Sequence, residues 1–375
     1  MKYFFLGIAL LAVFSCKRKS TDPEPTTFVG TPYNLVYPYY FKGVLNIPST
    51  NPLSVEGVKL GRMLFYEKKL SSDNSISCGS CHKQKFAFSD SVAFSSGVGG
   101  TLGTRNAFAL SNLAFQDFFF WDGRATSLEQ QVPSPIINPL EMHQVLDTVV
   151  KELQATTTYP PLFKAAFGSD VITANNIANA ISQFERTFVS YRSRFDLYAM
   201  GDEAAFTQQE LNGYNLFNNH PIPSDAPPLR GGNCGDCHGG YLFSGSPLTS
   251  TIFQNNGLDA VFKDAGREDV TGLAADEGTF KIPSLRNIAL TAPYMHDGRF
   301  ATLQDVLNHY NEHVVGSSTI SPLMRASNNA DTMGNPYFLN LTQSEMDDII
   351  AFLYTLTDSS YINDTTLSNP FINSK

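Results

Sequence analysis

Apolar residues recur at helical spacing in several stretches of the chain, while the alternation that marks a half-buried strand is sparse. Leu60 to Tyr66 reads as one helix. Thr207 and Glu210 form a capping-box signature ahead of Leu211, Tyr214 and Phe217, which predicts a second. Thr342 and Glu345 repeat that signature before Met346, Ile349, Ile350 and Leu353, one apolar face of a last helix. The predicted fold class is therefore mainly α. The N-terminus follows a different pattern. One lysine precedes an unbroken apolar run from Tyr3 to Phe14, and Ser15 and Cys16 follow. This is the form of a lipoprotein-type secretory signal, cleaved before Cys16 with lipid added to its sulfur; an ordinary signal peptide is the alternative. The run is shorter than the ~20 residues a membrane span needs. Lys17 to Pro38 is rich in Lys, Ser, Thr and Pro without periodicity, and reads as a tether.

A long internal repeat organises the rest. A shift of 175 residues superimposes Gly103-Thr104 on Gly278-Thr279, Asn112 on Asn287, Asp122-Gly123-Arg124 on Asp297-Gly298-Arg299, and Leu128 on Leu303, without a gap. This is duplication at domain scale. The expected organisation is a signal ending at the lipidated cysteine (1–16), a tether (17–39), two tandem domains (40–200 and 201–360) and a C-terminal tail (361–375).

The chemistry enters with the cysteines. Four of the five lie in Cys78-Gly79-Ser80-Cys81-His82 and Cys234-Gly235-Asp236-Cys237-His238, and the fifth is Cys16, so none remains for a disulfide. Cys-x-x-Cys-His is the attachment motif of c-type haem: two thiols form thioethers with the vinyl groups and the adjacent imidazole reaches the iron. A split zinc site or a thiol-disulfide pair would not require a histidine directly after each pair. Each motif predicts one covalent haem, so the expected fold is two tandem cytochrome c-like domains, 40–200 with the first haem and 201–360 with the second. A net charge of -9 argues against nucleic acid and suits a redox protein that meets small basic electron carriers. Only 16% of residues are charged, whereas Gly and Pro number 27 and 21, which fits loops packed around large apolar cofactors.

The longer motifs resemble the bacterial di-haem cytochrome c peroxidases and their relative MauG. They are Leu60-Gly61-Arg62-Met63-Leu64-Phe65-Tyr66, Leu70-Ser71-Ser72-Asp73, Arg105-Asn106-Ala107, Phe120-Trp121-Asp122-Gly123-Arg124, Asn138-Pro139-Leu140-Glu141-Met142 and Ala292-Pro293-Tyr294-Met295-His296-Asp297-Gly298. The resemblance runs from about Tyr40 to Ser359. It implies a peroxidase haem in the first half, an electron-transfer haem in the second, and a calcium ion near their interface. The calcium ligands it implies are the Asn106 side chain and the backbone oxygens of Thr291 and Pro293, with water completing a loosely held hard cation.

The resemblance also assigns roles in the pocket. His82 is the proximal ligand of the first haem. Family peroxidases cap its opposite face with a loop histidine, and that position, 16 residues after His82, is Val98 here. No histidine lies between His82 and His143, so the first haem is expected open to peroxide; a swing of His143 into the site is the alternative. Glu141, 20 residues after Trp121, matches the acid-base glutamate that moves a proton between the oxygens of peroxide, and Gln131 matches its hydrogen-bonding partner. Read alone, they are a helix-start carboxylate and a surface amide. Trp121, the chain's one tryptophan, matches the relay between haems. In the second half the sixth-ligand position, 14 residues after His296, is Tyr310, as in MauG, where family peroxidases carry methionine. The repeat takes Tyr310 back to Pro135, which has no side-chain donor. Met295, His309 and His313 compete for the ligand role, while His296 reads as an anchor for a haem propionate or the inter-haem network.

Two functions follow as expectations. One is reduction of hydrogen peroxide to water with electrons from a small cytochrome c or copper protein. The other is a MauG-like peroxide-dependent oxidase of a protein or small molecule. An open first haem and Tyr310 favour the second; MauG's surface tryptophan ahead of its second motif is Gly232 here, which opposes it. The protein is expected to be exported to the periplasm, to meet the membrane only through its lipid, and to be compatible with a homodimer.

Overall fold

The computed structural model describes residues 30–41, 45–221, 229–245, 251–324 and 338–372, so the expected signal and Cys16 lie outside the described residues. The chain is mainly helical. Its α-helices are α1 (Val55–Phe65), α2 (Cys78–Cys81), α3 (Leu128–Gln131), α4 (Pro133–Ile137), α5 (Leu146–Gln154), α6 (Tyr159–Phe167), α7 (Ala174–Glu185), α8 (Arg194–Ala199), α9 (Gln208–Asn218), α10 (Glu268–Thr271), α11 (Leu303–Glu312), α12 (Gln343–Tyr354) and α13 (Ser359–Ile362). The one sheet among the described residues pairs β1 (Phe253–Gln254) antiparallel with β2 (Phe280–Lys281), Phe253 opposite Lys281. Helix α1 begins earlier than its apolar spacing suggested, because Ser54 caps it by accepting from the Gly57 N–H at 2.9 Å. The two capping boxes read from the sequence, Thr207 with Glu210 and Thr342 with Glu345, start α9 and α12.

Two apolar cores result. The first gathers Leu60, Leu64 and Phe65 of α1, Phe163 of α6, Ile177, Ile181 and Phe184 of α7, and Phe88 and Phe188. Tyr361 and Leu367, from the C-terminal stretch, return to this same core. The second gathers Phe195 of α8, Phe217 of α9, Leu303 and Leu307 of α11, and Ile349, Phe352 and Leu353 of α12. Each core is built on one tight helix crossing, α1 on α7 and α9 on α12, and each crossing passes over a glycine. A Cβ on Gly61 would lie 1.9 Å from the Ala180 carbonyl oxygen, and one on Gly213 would lie 1.9 Å from that of Asp348.

The duplication is visible in the backbone. The isolated antiparallel bridges Phe119↔Ala125 and Tyr294↔Phe300 are related by the same shift of 175 residues, as are left-handed Asn112 (φ 56°) and Asn287 (φ 62°). Both asparagines latch the segment that follows their half's long helix. Asn112 N–H donates to Phe188 O and its Oδ1 accepts from Ser190 N–H; Asn287 N–H donates to Leu356 O and its Oδ1 accepts from Asp358 N–H. Asn287 Nδ2 also donates to Ser190 Oγ at 3.0 Å, so the two latches touch. A buried ion pair, Arg286 to Asp196 at 2.7 Å, fixes α8 beneath the second core, and Asp196 accepts in addition from Tyr40 and Ser193.

The crossings give a direct test. Gly61→Ala places a methyl against an α7 carbonyl with no side chain able to yield, and should destabilise the holoprotein by about 1–3 kcal/mol in denaturant melts. The exposed change Lys59→Ala on the same helix should leave the midpoint within ~0.5 kcal/mol.

Candidate functional site

Two cavities open against these cores, and each contains one Cys-x-x-Cys-His motif. The first, of about 1020 Å³, is lined by Cys78, Cys81 and His82 together with Trp121, Gln131, Pro135, Glu141 and Glu185. The second is lined by Cys234, Cys237 and His238 with Trp121, Met295, His296 and Tyr310. In both motifs the histidine ring is held the same way. Nδ1 of His82 bonds Phe88 O at 2.8 Å, and Nδ1 of His238 lies 3.2 Å from Phe243 O and 3.1 Å from Pro283 O. Carbonyl partners put the proton on Nδ1, which leaves Nε2 as the lone-pair nitrogen for a metal. Burial lowers the pKa of both rings, that of His238 to about 4, so both are neutral imidazoles. The thiols are shifted the other way by burial, Cys234 and Cys237 up to about 12. They are not redox-active thiolates. Neutral imidazoles and protonated thiols around large, mostly apolar cavities fit covalently held haem.

The two cavities differ where the opposite haem face would be. In the second, α11 runs unbroken and carries Tyr310, whose hydroxyl accepts from Asn256 Nδ2 at 3.2 Å and is pushed up to about 12 by burial. Met295 lines the same cavity, its sulfur 3.5 Å from the same Asn256 nitrogen. His309 does not line it: its Nε2 is engaged with Asn256 O at 3.0 Å, and His313 is exposed. In the first, the equivalent stretch is interrupted at Val132, with Pro133 and Pro135 in α4. Proline at 135 brings no donor to the cavity.

The loop from Ser95 to Gly103 is folded back on itself, Gly97 N–H to Thr101 O at 2.7 Å and Gly103 N–H to Ser95 O at 3.0 Å. Val98 N–H donates to Glu141 O at 2.8 Å, and a Cβ on Gly97 would lie 2.2 Å from Leu140 O. The loop is therefore fastened to the backbone that carries Glu141, and Val98 stays out of the cavity lining. His143 is exposed, with φ 48°, and also lies outside that lining. The Glu141 carboxyl accepts from Asn138 Nδ2 at 2.6 Å. Burial raises its pKa, opposed by the Asn138 hydrogen bond and by the charge of Arg124.

Trp121 lines both cavities. Its indole N–H donates to Asn106 O at 2.9 Å, its ring packs 4.5 Å from Phe108, and His296, stacked on Phe280, is 6.5 Å away. Asn106, Thr291 and Pro293 all line the second cavity beside this wall. Asn106 Nδ2 donates to Val92 O and Ala93 O, which leaves its Oδ1 free of those contacts.

Two lining groups escaped the sequence reading. Glu185 is buried, its Oε2 has no hydrogen-bond partner, and burial raises its pKa to about 8. Lys281 is 2% exposed and donates to Gln116 Oε1 at 2.7 Å. No local spacing marks either, since each owes its setting to distant segments.

Two cavities, each with its own haem-attachment motif and a shared aromatic wall, define a di-haem c-type cytochrome. Comparison with known proteins narrows this. The family described as di-haem cytochrome c peroxidase matches residues 55–204. The cytochrome c551 peroxidase of Nitrosomonas europaea is 36% identical over 316 residues, 83% of this chain and 83% of that protein. Methylamine utilization protein MauG of Methylorubrum extorquens is 36% identical over 312 residues, 82% of this chain and 80% of that one. A crystal structure of a MauG-like protein associated with microbial copper homeostasis matches with a TM-score of 0.79 at 34% identity, covering 90% of this chain and 99% of that one. The chain belongs to the di-haem cytochrome c peroxidase family. It is an oxidoreductase of that class, and its cofactors are two c-type haems.

Glu185 yields a pH test. A carboxyl whose folded pKa is raised from 4.5 to about 8 gives up stability as pH rises from its unfolded value through its folded one. The holoprotein should therefore lose stability between about pH 5 and pH 8, and Glu185→Gln should flatten that slope in thermal melts.

Proposed function

We propose that this protein reduces hydrogen peroxide at its first haem with electrons that enter through its second. The observation that supports this most is the asymmetry of the duplicated cavities: one is lined by its histidine and Tyr310, whereas the other has Pro135 at the repeat-equivalent position, with Glu141 and Gln131 also in its lining. In this reading Cys78, Cys81 and His82 hold the first haem, and Cys234, Cys237, His238 and Tyr310 hold the second. The haem supplies the iron that binds peroxide and stores oxidising equivalents.

The chain's own residues manage protons and the electron path. Reduction of one peroxide to two waters consumes two electrons and two protons. Glu141 takes the proton from one peroxide oxygen and returns it to the leaving oxygen, a role suited to a carboxyl lifted toward neutrality by burial. Gln131 orients the substrate by hydrogen bonding. Trp121, in the wall of both cavities, relays electrons. Asn106 with the backbone oxygens of Thr291 and Pro293 holds calcium beside that relay. The donor is a small cytochrome c or copper protein, and the protein works in the periplasm, anchored by lipid on Cys16. Among the described residues no helix is long and apolar enough to cross a membrane.

A MauG-like oxidase is the second reading, favoured by Tyr310 and by the loop that keeps Val98 out of the first cavity. Gly232, buried in the lining of the second cavity, provides no surface aromatic for handing electrons to a protein substrate.

Stoichiometric hydrogen peroxide added to the fully oxidised, never-reduced holoprotein should abolish a high-spin ferric resonance at once. If the resonance persists until one electron is supplied, another ligand caps the first haem. Glu141→Gln should keep both haems and lose about 10²–10⁴-fold in peroxide turnover with reduced cytochrome c as donor. A donor screen in which only an organic or protein substrate, and no reduced carrier, supports turnover would favour the oxidase. For the sixth ligand, Tyr310→Phe should change the optical spectrum of the second haem, and Tyr310→Met should raise its potential. An unchanged spectrum in Tyr310→Phe together with a changed one in Met295→Leu would assign the ligand to Met295.

A further inference from the structure

The wall between the cavities contains a cation without an anion. Lys281 is buried in β2, donates through Nζ to the neutral amide of Gln116 at 2.7 Å, and lies 4.9 Å from the centre of the Phe108 ring. Among the described residues it forms no salt bridge. The other deeply buried cations are matched: Arg186 pairs with Glu129 at 2.7 Å and Arg286 with Asp196 at 2.7 Å. Burial alone pulls the lysine down to about 8, with no neighbouring charge contributing. An ammonium desolvated this far is costly unless an anion meets it.

The attachment chemistry says which anion is near. Thioethers fix the vinyl edge of each haem at its cysteines, and the two propionates leave from the opposite edge. Cys78 and Cys81 line only the first cavity, and Cys234 and Cys237 only the second, whereas Lys281, Trp121, Phe108, Phe280 and His296 line both. The cysteines are thus absent from the shared wall, and a haem held by them would turn its propionate edge toward that wall. Arg105, also in the first cavity, is already held by Asp122 and Asp264. Gln116, the partner of Nζ, lines the first cavity and not the second.

We propose that Lys281 is the counter-ion of a propionate of the first haem, a positioning residue that clamps this carboxylate to the strand whose backbone also holds Trp121. The link to Trp121 is short: the Lys281 N–H donates to Trp121 O at 2.7 Å. The ion pair then fixes haem edge and relay as one unit and keeps a compensating positive charge beside the first haem. The inference rests on the presence of two haems and is independent of peroxide chemistry.

The test uses the full-length di-haem protein without peroxide. Spectroelectrochemical titration of Lys281→Met should show the first haem's midpoint potential moved negative and the second's moved less. Resonance Raman should show the propionate-bending band of the first haem shifted, and Lys281→Arg should return both signals toward the parent. If Lys281→Met does not load both haems, Lys281→Gln, which keeps a donor without the charge, takes its place. Unchanged potentials and an unchanged band at full haem loading would overturn the proposal, as would a shift confined to the second haem. Loss of peroxide turnover with the potentials and band as expected would count against the peroxidase reading and leave this one standing.

Discussion

Two backbone hydrogen bonds hold the partition between the two haem cavities. Asn106 N–H donates to His296 O at 2.6 Å, and Lys281 N–H donates to Trp121 O at 2.7 Å. Each joins a segment of the first half to one of the second. The aromatic layer they align is only one residue thick, because Trp121 faces both cavities. Backbone bonds set the relative position of the halves without requiring a particular side chain, so the wall's side chains are left for redox chemistry.

The same economy explains how duplication gave two unlike sites. The twin asparagine latches, the paired glycine crossings and the repeated bridges preserve the scaffold in both halves. Divergence is concentrated in one helical segment. Where α11 continues through Asn308 and carries Tyr310 into the second cavity, the first half has Pro133 and Pro135. A proline inside a helix loses a backbone donor and crowds the preceding turn, so the break and the loss of a ligand arise from the same residues. The absence of a side-chain donor at Pro135 is thus a local edit on a repeated frame.

The motifs, the repeat and the capping boxes were legible in the sequence because each is a local pattern with a fixed spacing. Helix α7 was not. Its last turns bury Ser182, Gln183 and Glu185 along with Ala180, Ile181 and Phe184, so polar residues there do not mark a solvent face. Helix α6 opens with Pro160 and Pro161 near its start, which read as a breaker until the first-turn position is known. The pocket residues Glu141, Gln131 and Trp121 were found through family spacing, and the structure brings all three to one cavity. Glu185 and Lys281 could not be found that way, since an acid and a base of ordinary type acquire meaning only when distant segments bury them without an ion-pair partner.

Two buried carboxyls stand in the lining of the first cavity. Burial shifts both Glu141 and Glu185 upward, toward the uncharged form. Surroundings that disfavour a carboxylate at these two positions also disfavour the uncompensated negative charge of an arriving electron. Electron entry there is favoured when a proton arrives with it, and peroxide reduction consumes the two in equal number. In the proposed peroxide reduction the burial of these carboxyls couples the two flows, since Glu141 and Trp121 both line the cavity where proton and electron would meet.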